Sequence, residues 1–120
     1  MYSWIALMIG AMLISSPAIA GQMTEGDLQI ICDGTDTESK AACRFYILGV
    51  AEGISEGMGL GAIDQHNPYC IAPNTSSTAL TGAVEPALKD DLSHFPKDRN
   101  IAAAAFVGAV LFKAFPCERQ

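Results

Sequence analysis

The chain has 120 residues, half of them hydrophobic, and sets 13 Asp and Glu against 7 Lys and Arg for a net charge of −6. No basic stripe exists to neutralise phosphates, which excludes nucleic acid as a partner and leaves a basic protein surface compatible. The length holds a single domain with a small core rather than two domains.

The first 20 residues carry no charged side chain. An apolar run from Trp4 to Ile14 leads through Ser15, Ser16 and Pro17 into Ala18-Ile19-Ala20, the small-residue pattern at which a signal peptidase cuts. The expectation is a signal peptide over residues 1–20 and a mature domain over residues 21–120, with export to the periplasm. The competing reading is a retained anchor, because Met1-Tyr2-Ser3 supplies no Lys or Arg. Against it, the apolar run falls short of the roughly 20 residues needed to span a bilayer, and Pro17 stops its extension. Cleavage would leave no stable membrane insertion.

An exported domain meets an oxidising compartment, so Cys32, Cys43, Cys70 and Cys117 are expected as cystines. There is no C-x-x-C and no Cys/His spacing of the kind that binds zinc, and neither a metal nor a cofactor is expected. Four cysteines permit three connectivities. The favoured one pairs Cys32 with Cys43, closing a short turn between two helices, and Cys70 with Cys117, tying the C-terminus to the chain centre.

In chain order, Thr24 with Asp27 three residues on is a capping pattern that starts a short first helix through Leu28, Ile30 and Ile31 to Cys32. Asp33-Gly34-Thr35-Asp36 is turn chemistry, with Gly34 expected as a left-handed stop. A second helix should run from Thr37 or Glu38 to about Met58, with Cys43, Tyr46 or Ile47, Val50, Ile54 and Met58 on one apolar stripe and Arg44, Glu52 and Glu56 facing water. Gly49, Gly53 and Gly57 recur every fourth residue and suggest close packing within the chain or between subunits. Gly59 to Tyr69 breaks both periodicities and is the longest irregular stretch. One of Asn74, Thr75, Ser76 or Ser77 should cap a third helix in which Leu80, Val84, Leu88 and Leu92 step by four. Pro86 inside it predicts a kink near Gly82 to Glu85 or a later start. A fourth helix, capped by Asp98 or Asn100, should present Ile101, Ala104, Ala105, Gly108, Leu111 and Phe112 and stop at Pro116, with Phe115 plugging the core. No strand pattern is evident. The fold class is all-α, a small disulfide-stabilised bundle of about four helices after a cleaved signal peptide.

Catalytic machinery is not visible in the pattern. His66 and His94 are the only imidazoles, and His94 at a helix C-terminus suits the helix dipole better than proton transfer. His66 with Asp64 lacks a nucleophile. Asp90 and Asp91, being adjacent on a helix, point to different sides and do not form a dyad. The expectation is a binding protein, not an enzyme.

Three segments carry a likeness to a known family: Cys43-Arg44-Phe45-Tyr46-Ile47-Leu48-Gly49-Val50-Ala51-Glu52-Gly53, Tyr69-Cys70-Ile71-Ala72-Pro73, and the terminal Ala114-Phe115-Pro116-Cys117. In this order the chain resembles the Rap/Tai family of type VI secretion amidase immunity proteins, from about Leu28 to Cys117. The resemblance implies a periplasmic, disulfide-bonded helical protein, commonly a homodimer, that binds a peptidoglycan-cleaving amidase and blocks its active site with a projecting loop. On this reading Asp64, Gln65, His66, Asn67 and Tyr69 form the partner-binding site. A carboxylate, amides and an aromatic ring suit a cleft with a cationic or thiol-bearing catalytic group, and Tyr69 adjoins a cystine. The alternative is a periplasmic structural or adaptor domain that binds another protein and has no amidase target.

Overall fold

A computed structural model describes residues 22–60, 71–72 and 74–116, excluding the side chains of residues 56–60. Helix α1 (Glu25–Asp33) begins with a reciprocal cap. The Thr24 hydroxyl accepts from the Asp27 N–H at 3.2 Å, and Asp27 Oδ2 accepts from the Thr24 N–H at 3.1 Å. These bonds satisfy orphan amides of the first turn and hold the Asp27 carboxyl below its ordinary range.

Gly34 ends α1 for a reason other than the one the turn chemistry suggests. Its φ is −60° and its ψ 139°, extended backbone that any residue adopts, and no described glycine has a positive φ. What the position demands is space, since a Cβ there would collide with the Ser39 side chain as the chain doubles back into the next helix. Asp36 then caps α2 (Thr37–Leu60), its Oδ2 accepting from the Ser39 N–H at 2.9 Å.

The stripe expected on α2 is present as far as Ile54, and the side chains of Glu56 and Met58 lie outside the described residues. Cys43, Ile47 and Ala51 are buried, with Tyr46, Val50 and Ile54 half-buried beside them, while Arg44 and Glu52 are exposed. Helix α3 (Ser77–His94) takes its cap from Ser76, whose Oγ accepts from the Ala79 N–H at 3.1 Å. It runs through Pro86 without a break, so the later start is not adopted. Pro86 and Gly82, whose carbonyl the proline cannot engage, both lie on the exposed side. The opposite side contributes Leu80, Val84, Leu88 and Leu92 to the core, each at most 5 % exposed.

A 3-10 helix (Pro96–Asn100) follows, and only then α4 (Ala103–Ala114). This corrects the expectation that Asp98 or Asn100 caps the fourth helix. The N-cap is Ala102, which has no capping side chain. Chain pairing takes over that role: the Ala103 N–H donates to Met23 O at 2.8 Å, beside an isolated antiparallel bridge between Thr24 and Ala102. The buried face of α4 coincides with the expected one only at Gly108 and Leu111. Ala103, Val107, Gly108 and Leu111 face inward, whereas Ile101, Ala104, Ala105 and Phe112 are exposed. Phe115 packs against the core as expected.

The core is one cluster fed by all four helices, with Leu28 as the contribution of α1. Each fully buried Leu or Val contributes about 1.5–3 kcal/mol relative to exposure. A Cys32–Cys43 disulfide, spanning 11 residues, binds the end of α1 to α2, as favoured from the sequence. In the chain-entropy view a loop of that length is worth about 3 kcal/mol. Cys70 and Cys117 lie outside the described residues. Among the described residues there are no strands, and no helix is long and apolar enough to cross a membrane.

Candidate functional site

The segment singled out as the binding loop connects α2 to α3. Asp64, Gln65, His66, Asn67 and Tyr69 all lie outside the described residues, and Ile71 and Ala72 follow them in the chain. Ile71, half-buried, packs against the core, and the Thr75 N–H donates to Ala72 O at 2.9 Å in a turn that delivers Ser76 to its capping position. Beside this turn is an open concavity of about 380 Å³ lined by residues of α2, including Leu48, Ala51 and Glu52, by Ile71 and Ala72, and by Leu80 of α3. Its walls are largely apolar, with Glu52 and Ser55 on the rim.

A second concave region follows the cystine. Two grooves of about 290 and 420 Å³ share Cys32 and Glu85. Lys89 and Asp33 border the first, Lys40 and Arg44 the second. Glu85 Oε1 lies 3.3 Å from Cys43 Sγ. A cystine sulfur has no proton to donate, so this is a contact and not a hydrogen bond. Cys32, Cys43 and Glu85 also approach one another closely enough to hold a metal ion. With both sulfurs committed to the disulfide, neither can act as the thiolate ligand such a site requires.

The outward face of α2 is a third surface. Phe45 is 63 % exposed, with the Arg44 guanidinium 5.5 Å from its ring centroid. One and two turns further on, Gly49 and Gly53 are open: apart from their chain neighbours and the backbone of α2 itself, no atom lies within 4 Å of where a Cβ would sit. The close intramolecular approach envisaged for this glycine track is therefore absent at both positions.

His94 ends α3 as anticipated. Its Nδ1 is 2.8 Å from Asp90 O and 3.5 Å from Asp90 Oδ1, on the exposed end of the helix. A carbonyl only accepts, so Nδ1 is the donor. Ser93 Oγ, which donates to the same carbonyl at 2.7 Å, also lies 3.2 Å from Nδ1. With Nδ1 already carrying its hydrogen, the imidazole cannot take a proton from Ser93 there, and the pair closes a helix end rather than forming a nucleophile and base.

One further cluster joins elements that no sequence spacing relates. Glu25, the first residue of α1, is 1 % exposed, and its carboxyl group lies beside that of Asp91. Burial first, then the neighbouring Asp91 and Asp98 carboxylates, push its carboxyl up to about 7. Asp90 and Asp91 do diverge as expected, but Asp91 finds its carboxyl partner on another helix. An acidic residue in a first helical turn ordinarily reads as a solvated dipole partner, which conceals such a pair.

The described portion is thus a cystine-tied helical scaffold that offers surfaces for macromolecular contact. A family model, Rap1a immunity proteins, matches residues 24–117, and the chain belongs to that family. Membership implies an immunity protein whose partner is a secreted effector protein. No curated protein and no solved structure is significantly similar to the chain.

Proposed function

We propose that the chain is exported by its N-terminal leader and protects the periplasm by binding and inhibiting a peptidoglycan-cleaving amidase delivered by type VI secretion. Family membership over residues 24–117 carries this reading. Asp64, Gln65, His66, Asn67 and Tyr69 are the residues proposed to obstruct the amidase cleft. Three features support them. Their segment joins two helices that are packed into one core, its C-terminal flank is anchored by Ile71, and Ile71 and Ala72, which follow it in the chain, line an open concavity. Anchoring at the flanks lowers the ordering cost that a binding loop would otherwise bear. A Cys70–Cys117 cystine would add a second anchor next to Tyr69, and a homodimer would present two such loops.

The test is co-expression with a periplasm-directed amidase encoded by an adjacent reading frame, scored by lysis. The native chain should prevent lysis. Replacing Asp64 to Asn67 by a Gly/Ser linker should abolish protection with helicity by circular dichroism unchanged. Full protection by the linker variant would discard the loop assignment, and lysis in the presence of the native chain would discard that amidase as the target.

A further inference from the structure

The start of α1 is held by three other elements at once. The Glu25 N–H donates to Ile101 O at 2.9 Å, Met23 O receives the Ala103 N–H at 2.8 Å, and Thr24 bridges Ala102. At this junction the buried Glu25 side chain faces Asp91 from α3, with the Asp98 carboxylate of the 3-10 helix within electrostatic reach. A hydrogen bond between two carboxyl groups requires one of them to be protonated, because a carboxylate only accepts. Glu25 Oε2 is buried with no hydrogen-bond partner among the described residues, a position costly for an anion.

We propose that Glu25, Asp91 and Asp98 form a proton-operated latch, in which a proton held between Glu25 and Asp91 locks the start of α1 onto α3, the 3-10 helix and α4, and its loss loosens that junction.

Among the described residues, charge compensation at the latch is poor from every element packed around it. On α1 the nearest carboxylate is Asp27, which is exposed and engaged by Thr24. On α3, Asp90 and His94 face solvent while Asp91 turns inward. On the 3-10 helix, Lys97 is exposed, and Arg99 sends its guanidinium to Gln29 Oε1 at 2.7 Å. The first turn of α4 has no acidic residue, and its Lys113 lies in the last turn. On α2, packed against α1, Lys40, Arg44 and Glu52 are exposed. The free amides of the first turn of α1 favour an anion, yet burial and two carboxylates outweigh them.

The sign follows from linkage. Glu25 binds its proton more tightly in the folded chain, near 7, than at the 4.5 of an unperturbed glutamate. Its stabilising contribution is therefore complete below about 4.5 and is lost as pH rises through about 7. Over that window the unfolding constant should climb by up to tenfold per pH unit.

The test compares the purified wild-type protein with Glu25→Gln, whose amide donates to Asp91 at any pH. Urea unfolding between pH 5 and 8 should show the climb in the wild type and not in Glu25→Gln, and whatever is common to both proteins cancels in the comparison. Hydrogen-exchange protection at the Glu25 and Ala103 amides should fall above neutrality in the wild type alone. Equal pH slopes in the two proteins would overturn the latch. Should Glu25→Gln fail to fold, the carboxyl carbon resonance of Glu25 in the wild type decides. A midpoint near neutrality that moves down toward 4.5 in Asp91→Asn supports the latch, and a midpoint already near 4.5 in the wild type refutes it.

Discussion

Glu85 Oε1 sits 3.3 Å from the sulfur of Cys43, which is fully buried, while the bonded Cys32 is half-buried and borders two open grooves. A reducing thiolate therefore reaches the Cys32 sulfur. Bond formation there expels Cys43 as a thiolate into a buried position facing a carboxylate. Leaving ability falls as the departing thiolate becomes less stable, so the geometry protects the cystine kinetically. Glu85→Gln removes the repulsion without changing the shape. Reduction of Cys32–Cys43 by dithiothreitol should then accelerate by about threefold to tenfold, the equivalent of ~1 kcal/mol of screened repulsion. Alkylation of quenched samples followed by mass spectrometry measures this, and identical rates would show that Glu85 has no part in the protection.

Leu88 is 1 % exposed, at the centre of the α3 face that the other helices cover. Truncation to Ala leaves a cavity walled by neighbours that are themselves tied down by the disulfide and by the α1–α4 junction, so collapse around it is limited. Leu88→Ala should cost about 2–5 kcal/mol, a large part of the stability of a domain this size. Ile30, 69 % exposed on α1, is the matched comparison. Ile30→Ala should stay within about 0.5 kcal/mol. Urea midpoints for the two variants separate the cases, and similar losses would mean that Ile30 is covered in solution.

Local chemistry made most of the helix starts legible. Thr24 with Asp27 and the Ser76 cap are interactions within three residues, and the four-residue step of Leu80, Val84, Leu88 and Leu92 names its own face. The Cys32–Cys43 pairing was legible for the same reason, because a turn of fixed length brings the two together. The misjudged features depend on partners remote in sequence. Ala102 opens α4 without a capping side chain because Met23, far back in the chain, accepts the Ala103 N–H. Ala104 and Ala105 lie outward because the core meets α4 through Ala103, Val107 and Leu111, a choice among small apolar residues that only tertiary packing makes. At Gly34 turn chemistry suggests a left-handed stop, whereas the reason for glycine is the Ser39 side chain that approaches it. The Glu25–Asp91 pair joins elements far apart in sequence, and no spacing rule relates them. At the candidate site, the residue types of the Asp64 to Tyr69 segment were readable, while their placement depends on tertiary anchoring that periodicity does not encode.

Gly49 and Gly53 pose the sharpest question about assembly. Glycine weakens a helix interior by up to about 1 kcal/mol relative to alanine, and neither position is repaid by close packing within the chain, since a Cβ at either would meet nothing within 4 Å apart from its chain neighbours and the backbone of α2 itself. In the isolated protomer Gly49→Ala and Gly53→Ala should therefore stabilise, each raising the melting temperature by about 4–8 °C for every kcal/mol gained. Gly82 on α3 is equally open and serves as the control. If the outward face of α2, with Phe45 on it, is where two copies meet, the added methyl groups would hold the helices apart. Gly49→Ala and Gly53→Ala would then weaken self-association in sedimentation equilibrium, while Gly82→Ala would leave it intact. Should all three variants gain stability and assemble as the wild type does, the α2 face is a solvated surface, and any dimer contact must be sought on another part of the protein.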